Sequence, residues 1–261
     1  MPTIDIGGQA IHYLEAGAGE ALVLFADDLH AASAYEGEVA RLAGRYRVLA
    51  FDRPGMGGST RDVRYRDEIE FDPWNYRADL ACHLLQDLGL DRCVVLGVGG
   101  GALAALHFAG RQARLHRVTA LRVIVDSFLA DLDGRTLHRA LDRREHHFVR
   151  HGESLRRQHG DDWRQVVDAD TAFLRRLADR GGYAVADGVL SAVRCPVLLT
   201  GNLNDDLTPG IAREFARIGG LVPDCSVFLA SESGHRYGEE HPLMWTDPAT
   251  FWGVAETFLA R

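Results

Sequence analysis

The residues from Arg92 to His107 carry the densest chemical signal in the chain. A short β-branched apolar run, Val94 to Leu96, meets glycines at 97, 99, 100 and 101, and an Ala/Leu-rich helical pattern begins at once. The pattern is a strand, a tight turn and a helix with no room for a loop. In a G-x-nucleophile-x-G turn of this kind the outer glycines let the helix pack hard against the strand, and the central residue projects for covalent attack. Gly97 and Gly101 hold the outer positions, and the central residue is Gly99. The scaffold for covalent catalysis is legible, and its reacting atom is missing.

Other reactive groups are few. The chain has no lysine, so all 29 basic side chains are arginine, and Schiff-base chemistry from a lysine side chain is excluded. Ser33, Ser59 and Cys93 are possible substitutes for the missing nucleophile, but none sits in a strained turn, and Cys93 begins its strand at the end away from the site. His147 and His151 stand four apart, as helical zinc ligands do, with Glu145 and His146 adjacent. Without the H-E-x-x-H register or a third ligand they read as a polar helix face. Asp28, His30 and His235 form a metal site only if the fold gathers them, and no metal is expected. The G-x-G-G-G run lacks the spacing of a dinucleotide fingerprint and sits mid-chain, with Asp126 too distant for a ribose contact, so no cofactor is expected either.

Composition sets the class. At 261 residues, 46% hydrophobic and 25% charged, the chain is long enough to bury a full core. A formal net charge of −8 argues against a nucleic-acid partner, which needs a basic face. Cys82, Cys93, Cys195 and Cys225 are scattered with no C-x-x-C pair, as buried thiols in a reducing compartment would be. No run approaches the length of a membrane span and the first residues lack a signal-peptide pattern, so a cytoplasmic protein without membrane attachment is expected. The arginine bias points to a GC-rich bacterial genome. Oligomeric state leaves no mark.

The elements that must position the turn follow from periodicity. Thr3–Ile6 and Gln9–Leu14, split by Gly7-Gly8, form a hairpin. Ala21–Phe25, Tyr46–Phe51, Leu121–Asp126, Pro196–Thr200 and Ser226–Ala230 are short apolar runs of buried strands. Helical patterns span about 34–42, the region of Asp79 to Leu88, and 247–259. Strands alternating with helices imply right-handed crossovers and an α/β, mostly parallel, doubly wound sheet of about eight strands. The segment 127–193, rich in Arg, Asp and His, breaks the rhythm with helices and no convincing strand. It reads as a helical cap insertion between core segments 1–126 and 194–261. Trp74, Trp163, Trp245 and Trp252 are expected in the core or a pocket wall.

In this order the elements resemble the α/β-hydrolase superfamily over nearly the whole chain apart from the insertion. Asp52-Arg-Pro-Gly-Met-Gly-Gly-Ser59 is similar to its D-x-P-G-x-G-x-S turn, Pro196 to Pro209 to its acid loop, and Ser233-Gly-His235 with His241-Pro242 to its catalytic-histidine loop. The resemblance implies a triad in which a histidine, oriented by an acid, deprotonates the nucleophile, and it assigns His235 as that histidine. For the acid, the loop Gly201 to Pro209 is one residue too long. Counting from the proline selects Asp205, counting from the glycine selects Asn204, and Asp126 at the end of its strand is a further alternative. Asp205 is preferred because a loop absorbs an extra residue easily. The implied oxyanion donors are the amides of Asp28 and Gly100. Where the family has His-Gly, this chain has Ala26-Asp27, followed by Asp28-Leu29-His30, and two carboxylates beside the hole raise the cost of a developing oxyanion.

Three functions fit. The first is an enzyme lacking the nucleophilic serine, in which His235 with Asp205 acts as general base on a small organic substrate. Elimination, decarboxylation, cyclisation or water-mediated hydrolysis would all suit that site. The second is a catalytically silent ligand-binding protein, and the third is a serine hydrolase carrying an inactivating glycine. In each, the pocket is expected between the strand C-terminal ends and the cap, lined by Asp27, Asp28, His30, Gly99, Gly100 and His235.

Overall fold

A computed structural model describes residues 2–61, 71–111, 118–231 and 242–261. His235 lies outside the described residues. An eight-stranded sheet organises the chain. Its strands are β1 (Thr3–Ile6), β2 (Gln9–Ala16), β3 (Glu20–Phe25), β4 (Tyr46–Phe51), β5 (Arg92–Val98), β6 (Thr119–Asp126), β9 (Val197–Asn202) and β10 (Cys225–Ala230), in the spatial order β1-β2-β4-β3-β5-β6-β9-β10. β2 is antiparallel to both β1 and β4, and the remaining pairs are parallel.

The two-residue period of the strands assigns their side chains to two cores. Val23, Phe25, Leu49, Phe51, Val95, Val123, Val125, Val197 and Leu199 face one side and pack on α2 (Pro73–Asp87), α3 (Gly100–Gly110) and α7 (Ile211–Leu221). Leu22, Leu24, Val48, Ala50, Val94, Leu96, Ile124 and Leu198 face the other and pack on α1 (Glu36–Leu42) and α9 (Pro248–Leu259). Runs such as Ala21-Leu-Val-Leu-Phe25 are apolar at every position because both faces are covered. A 3-10 turn, Ala32–Tyr35, precedes α1, and a short α8 (Leu243–Thr246) precedes α9.

Between β6 and β9 run β7 (Asp131–Asp133), α4 (Gly134–His159), α5 (Trp163–Asp179), β8 (Gly182–Ala184) and α6 (Asp187–Leu190). The sequence reading of this stretch as strand-free needs correction, because β7 and β8 pair antiparallel. Three residues are too few to show an alternation. α4 and α5 are held to the loops at the strand ends by a small apolar cluster of Leu29, Phe148, Leu155 and Val167, with Trp163 against it. A buried ion group adds to this: Asp170 of α5 binds Arg53 of the loop after β4 and, at 2.6 Å, Arg144 of α4. Burial opposes the charge on Asp170, but the two guanidiniums outweigh it and hold the carboxyl below the usual carboxylate range.

Candidate active site

The register of the central strands builds the site. Phe25 of β3 lies beside Gly97 of β5, and Gly97 lies beside Val125 of β6, so the loops leaving all three strands emerge side by side. Gly99 follows with φ 52° and ψ −122°, and α3 starts at the next residue. The glycines here are required by close approach. A Cβ on Gly97 would lie 2.8 Å from the Ala102 Cα, and one on Gly101 would lie 2.7 Å from the Phe25 carbonyl carbon. The helix therefore starts directly against the ends of β3 and β5.

What faces this turn is the acidic loop after β3. A Cβ built on Gly99 would collide with the Asp27 carboxylate, lying 2.6 Å from its Cγ. Asp27 Oδ1 accepts the Gly100 amide at 2.8 Å, the first free N–H of α3. The carboxylate thus fills the volume above Gly99 and occupies one of the two expected oxyanion donors. The Tyr35 hydroxyl accepts the Asp27 amide at 3.0 Å, and the Asp27 carbonyl accepts the His30 amide at 3.0 Å. These bonds fix the loop backbone. Asp27 Oδ2 stands 3.8 Å from His30 Nδ1.

Asp28 points the other way, into protein. Arg77 Nη1 donates to it at 2.9 Å and the Trp74 indole at 3.2 Å, while Arg53 donates to its carbonyl at 2.6 Å. Trp74 is 1% exposed and belongs to the core. Burial pushes the Asp28 carboxyl up, against the pull of Arg53 and Arg77 and with a further push from Asp27. A Cβ on Gly100 would strike the Asp28 carboxylate, so two consecutive glycines of the turn accommodate two consecutive carboxylates.

Of the expected acids, Asp205 is buried in the loop after β9, and its Oδ1 accepts the Leu207 amide at 2.8 Å. Asn204 is exposed, and its amide donates to the Ser231 carbonyl at 2.7 Å, tying the acid loop to the end of β10. Asp126 is fully buried. Its carboxylate accepts the Thr200 hydroxyl at 2.8 Å, the Ser127 hydroxyl at 3.1 Å and the Met244 amide at 2.9 Å, which anchors the start of α8. Ser127, at φ 53°, is the one non-glycine residue with positive φ among the described residues, and its hydroxyl also accepts the Leu243 amide at 2.9 Å. Periodicity carried no sign of that strained serine, because backbone strain is a tertiary property.

A cavity of about 780 Å³ opens above the turn. Asp27, Asp28, His30, Gly99 and Gly100 form its floor, Leu103, Phe128 and Leu129 give it apolar wall, Leu207 and Thr208 belong to the acid loop, and α4 supplies a roof that includes His147 and His151. Trp245 stacks edge-on against His30 at 5.0 Å, one wall of the same space. His147 and His151 lie 4.4 Å apart ring to ring, and His147 and His30 lie 6.4 Å apart. Burial, reinforced by His151, His30 and Arg144, holds His147 neutral down to about 4. Among the described residues no group of three or more His, Cys, Asp or Glu side chains is arranged to hold a metal ion.

The C-terminal end of α4 clamps this floor. His159 Nδ1 accepts the Gly57 amide and its Nε2–H donates to the Leu29 carbonyl, both at 3.0 Å, and Gln158 accepts the Ala31 amide at 3.1 Å. Burial first, and then His30 and Arg53, lowers the His159 pKa to about 4 against the pull of the Leu29 carbonyl. The sequence reading passed over His159, whose role depends on a partner 130 residues away. Ser59 is structural: its hydroxyl accepts the His12 amide at 2.9 Å and donates to the Asp52 carbonyl at 2.7 Å. Cys93 is buried in β5, where desolvation pushes its thiol far up. No helix of the described residues is long and apolar enough to cross a membrane.

Comparison with known proteins agrees with this architecture. Residues 17–249 match the Alpha/beta hydrolase family. Among solved structures, similar chains include an E-2-(acetamidomethylene)succinate hydrolase, with TM-score 0.73, 17% identity, and 100% of this chain and 98% of that chain covered. The enol-lactonase from Burkholderia xenovorans LB400 superposes with TM-score 0.70 and 17% identity over 100% of both chains. A meta-cleavage product hydrolase gives TM-score 0.71 and 16% identity, covering 99% of this chain and 97% of that one. At such identities the likeness is one of fold. No curated protein sequence matches the chain.

Proposed function

The chain belongs to the α/β-hydrolase family, and from that premise we propose an enzyme that works without the nucleophilic serine. His235, oriented by Asp205, acts as general base on a small organic substrate held in the cavity above Gly99. The reaction is non-covalent: elimination, decarboxylation, cyclisation or hydrolysis by a directly activated water. One observation carries this reading. The Asp27 carboxylate fills the place of a side chain at 99 and takes the Gly100 amide.

An oxyanion hole works by presenting fixed N–H donors to charge that develops in the transition state. Here one such donor already holds a carboxylate, and a second negative oxygen beside it is repelled. Acyl transfer through a tetrahedral oxyanion is therefore disfavoured at this turn. A serine hydrolase disabled only by loss of its serine would have left that amide open. The burial of Asp205 and the exposure of Asn204 support Asp205 as the acid that faces the histidine loop. Segment 127–193 acts as a cap over the cavity, and the protein is cytoplasmic, bacterial and independent of cofactors. The enol-lactonase and meta-cleavage product hydrolase folds suggest where to begin with substrates.

The test is turnover of enol-lactones, vinylogous diketones and β-keto acids by the parent, His235→Ala and Asp205→Asn. Turnover in the parent should fall by about 10²-fold or more in His235→Ala, the scale of general-base catalysis, with an unchanged melting temperature. A His235→Ala variant that turns over as fast as the parent removes the histidine from the mechanism.

A further inference from the structure

We propose that the C-terminal end of α4 is a proton-operated latch on the cavity: a proton on His159 releases this end of the roof from the floor while the central sheet stays folded. The inference rests on reading segment 127–193 as a cap over that cavity, and it supplies a means by which the cap opens.

Roof and floor are joined here through a few backbone groups. α4 runs to His159 and stops at Gly160, whose φ of 88° glycine adopts without strain. In the last turn Gln158 accepts the Ala31 amide at 3.1 Å. His159, 2% exposed, accepts the Gly57 amide on Nδ1 and donates from Nε2 to the Leu29 carbonyl, both at 3.0 Å. Leu29, His30, Ser154, Leu155 and Gln158 line the cavity, so these bonds tie its floor to its roof. The ion pair of Arg144 with Asp170 lies about four turns earlier on α4 and holds the middle of the helix, which leaves the end to move.

Both partners of the imidazole are backbone groups, and neither can change its role. An amide only donates and a carbonyl only accepts. The neutral ring with its proton on Nε2 satisfies both, whereas the charged ring points a second N–H at the Gly57 N–H. That contact must break, and a buried cation then gains by turning to water. The charged groups around the ring do not remove the conflict. Asp52 attracts the proton, but its carboxylate already accepts the Ala32 amide at 2.6 Å and the Gly58 amide at 2.8 Å and lies 2.6 Å from His12 Nδ1 of β2. His30 and Arg53 repel a further positive charge, and burial opposes it most. Arg61 donates to the His159 carbonyl at 2.8 Å and is paired with Asp162, the residue before α5. Opening of one helix end at a cost below that of global unfolding is the ordinary behaviour of a lid.

The experiment is amide hydrogen exchange of the parent protein, resolved by NMR at pH 7.0 and 4.5, with each rate divided by that of an unstructured chain at the same pH. The closed ring takes a proton only near 4 and an exposed ring near 6.5, so the opening equilibrium should rise on the order of 50-fold over this range. Protection of the Gly57 and Ala31 amides should fall together by that factor. The Val123 amide of β6, bonded to the Pro196 carbonyl, should keep its protection. His159→Gln has no proton to gain and should abolish the fall. Gln158→Ala removes only the neighbouring bond, and should lower Ala31 protection at both pH values while the fall at Gly57 remains. A change within threefold at Gly57 and Ala31 in the parent overturns the proposal, as does a fall that persists in His159→Gln or one that Val123 shares. Exchange is read without turnover, so a failed latch leaves the His235 reading standing, and a working latch in a protein inert towards every substrate removes only that reading.

Discussion

Placing a serine at position 99 is the most direct challenge to the geometry of this site. The substituted side chain brings a Cβ to 2.6 Å from the Asp27 Cγ, whereas ordinary contacts of this kind begin near 3.4 Å. Overpacking of this kind costs about 1–3 kcal/mol. The backbone adds to it, because φ 52° is strained for any residue with a Cβ, at about 1–2 kcal/mol. Gly99→Ser should therefore lose about 2–5 kcal/mol, a fall in melting temperature of roughly 5–15 °C for a chain of this size. Truncating the obstacle separates the two contributions. Asp27→Ala/Gly99→Ser removes the collision and leaves the φ strain, so a double-mutant cycle should show a coupling of about 1–3 kcal/mol between the two positions. Thermal melts of the four proteins give the cycle, and hydrolysis of p-nitrophenyl acetate gives its chemical counterpart. The Gly100 amide is vacated only in the double variant, so esterase activity should appear there and not in Gly99→Ser. A single variant that melts within 2 °C of the parent and hydrolyses the ester would refute the claim that Asp27 occupies the nucleophile's place.

Acid should loosen the clamp between α4 and the floor. The folded His159 pKa, about 4, lies below the unfolded value near 6.5, so the unfolded chain binds more protons between these limits. Its stabilisation is complete above pH 6.5 and is lost as pH falls towards 4, by up to about 3 kcal/mol. Melting temperatures from pH 7.5 to 4.5 should fall more steeply in the parent than in His159→Gln, and parallel curves would dismiss the effect. Asp170→Ala leaves two buried guanidiniums without their shared carboxylate and should cost about 3–5 kcal/mol, measurable by urea titration. A loss under about 1 kcal/mol would show that water replaces the carboxylate easily.

The chain order of strands and helices was written in periodicity. Runs that are apolar at every residue appear where both faces of a strand are covered, as in Ala21–Phe25 of β3, Cys93–Leu96 of β5 and Val197–Leu199 of β9. The turn at Gly97–Gly101 was legible because only glycine tolerates a helix starting directly against a strand end, and that requirement shows in local residue type. Loop length set an order of preference between Asp205 and Asn204, but burial of the one and exposure of the other were not legible in it. The acidity of the 27–28 loop was equally plain, but its meaning was not. Sequence left open whether these carboxylates face solvent, cap a helix or enter the site.

Tertiary structure decided that point. Asp27 and Gly99 are 72 positions apart, and no local pattern relates them. They meet because β3 and β5 are neighbours in the sheet and Phe25 is in register with Gly97, which brings the two following loops to the same height. Asp28 turns inward because Arg77 and Trp74, on a helix packed against that face, are there to receive it. The clamp by His159 likewise depends on α4 lying over the strand ends. Residue types fix what a side chain is able to do, and strand register fixes which side chains share a cavity, because register sets the distances over which protons move.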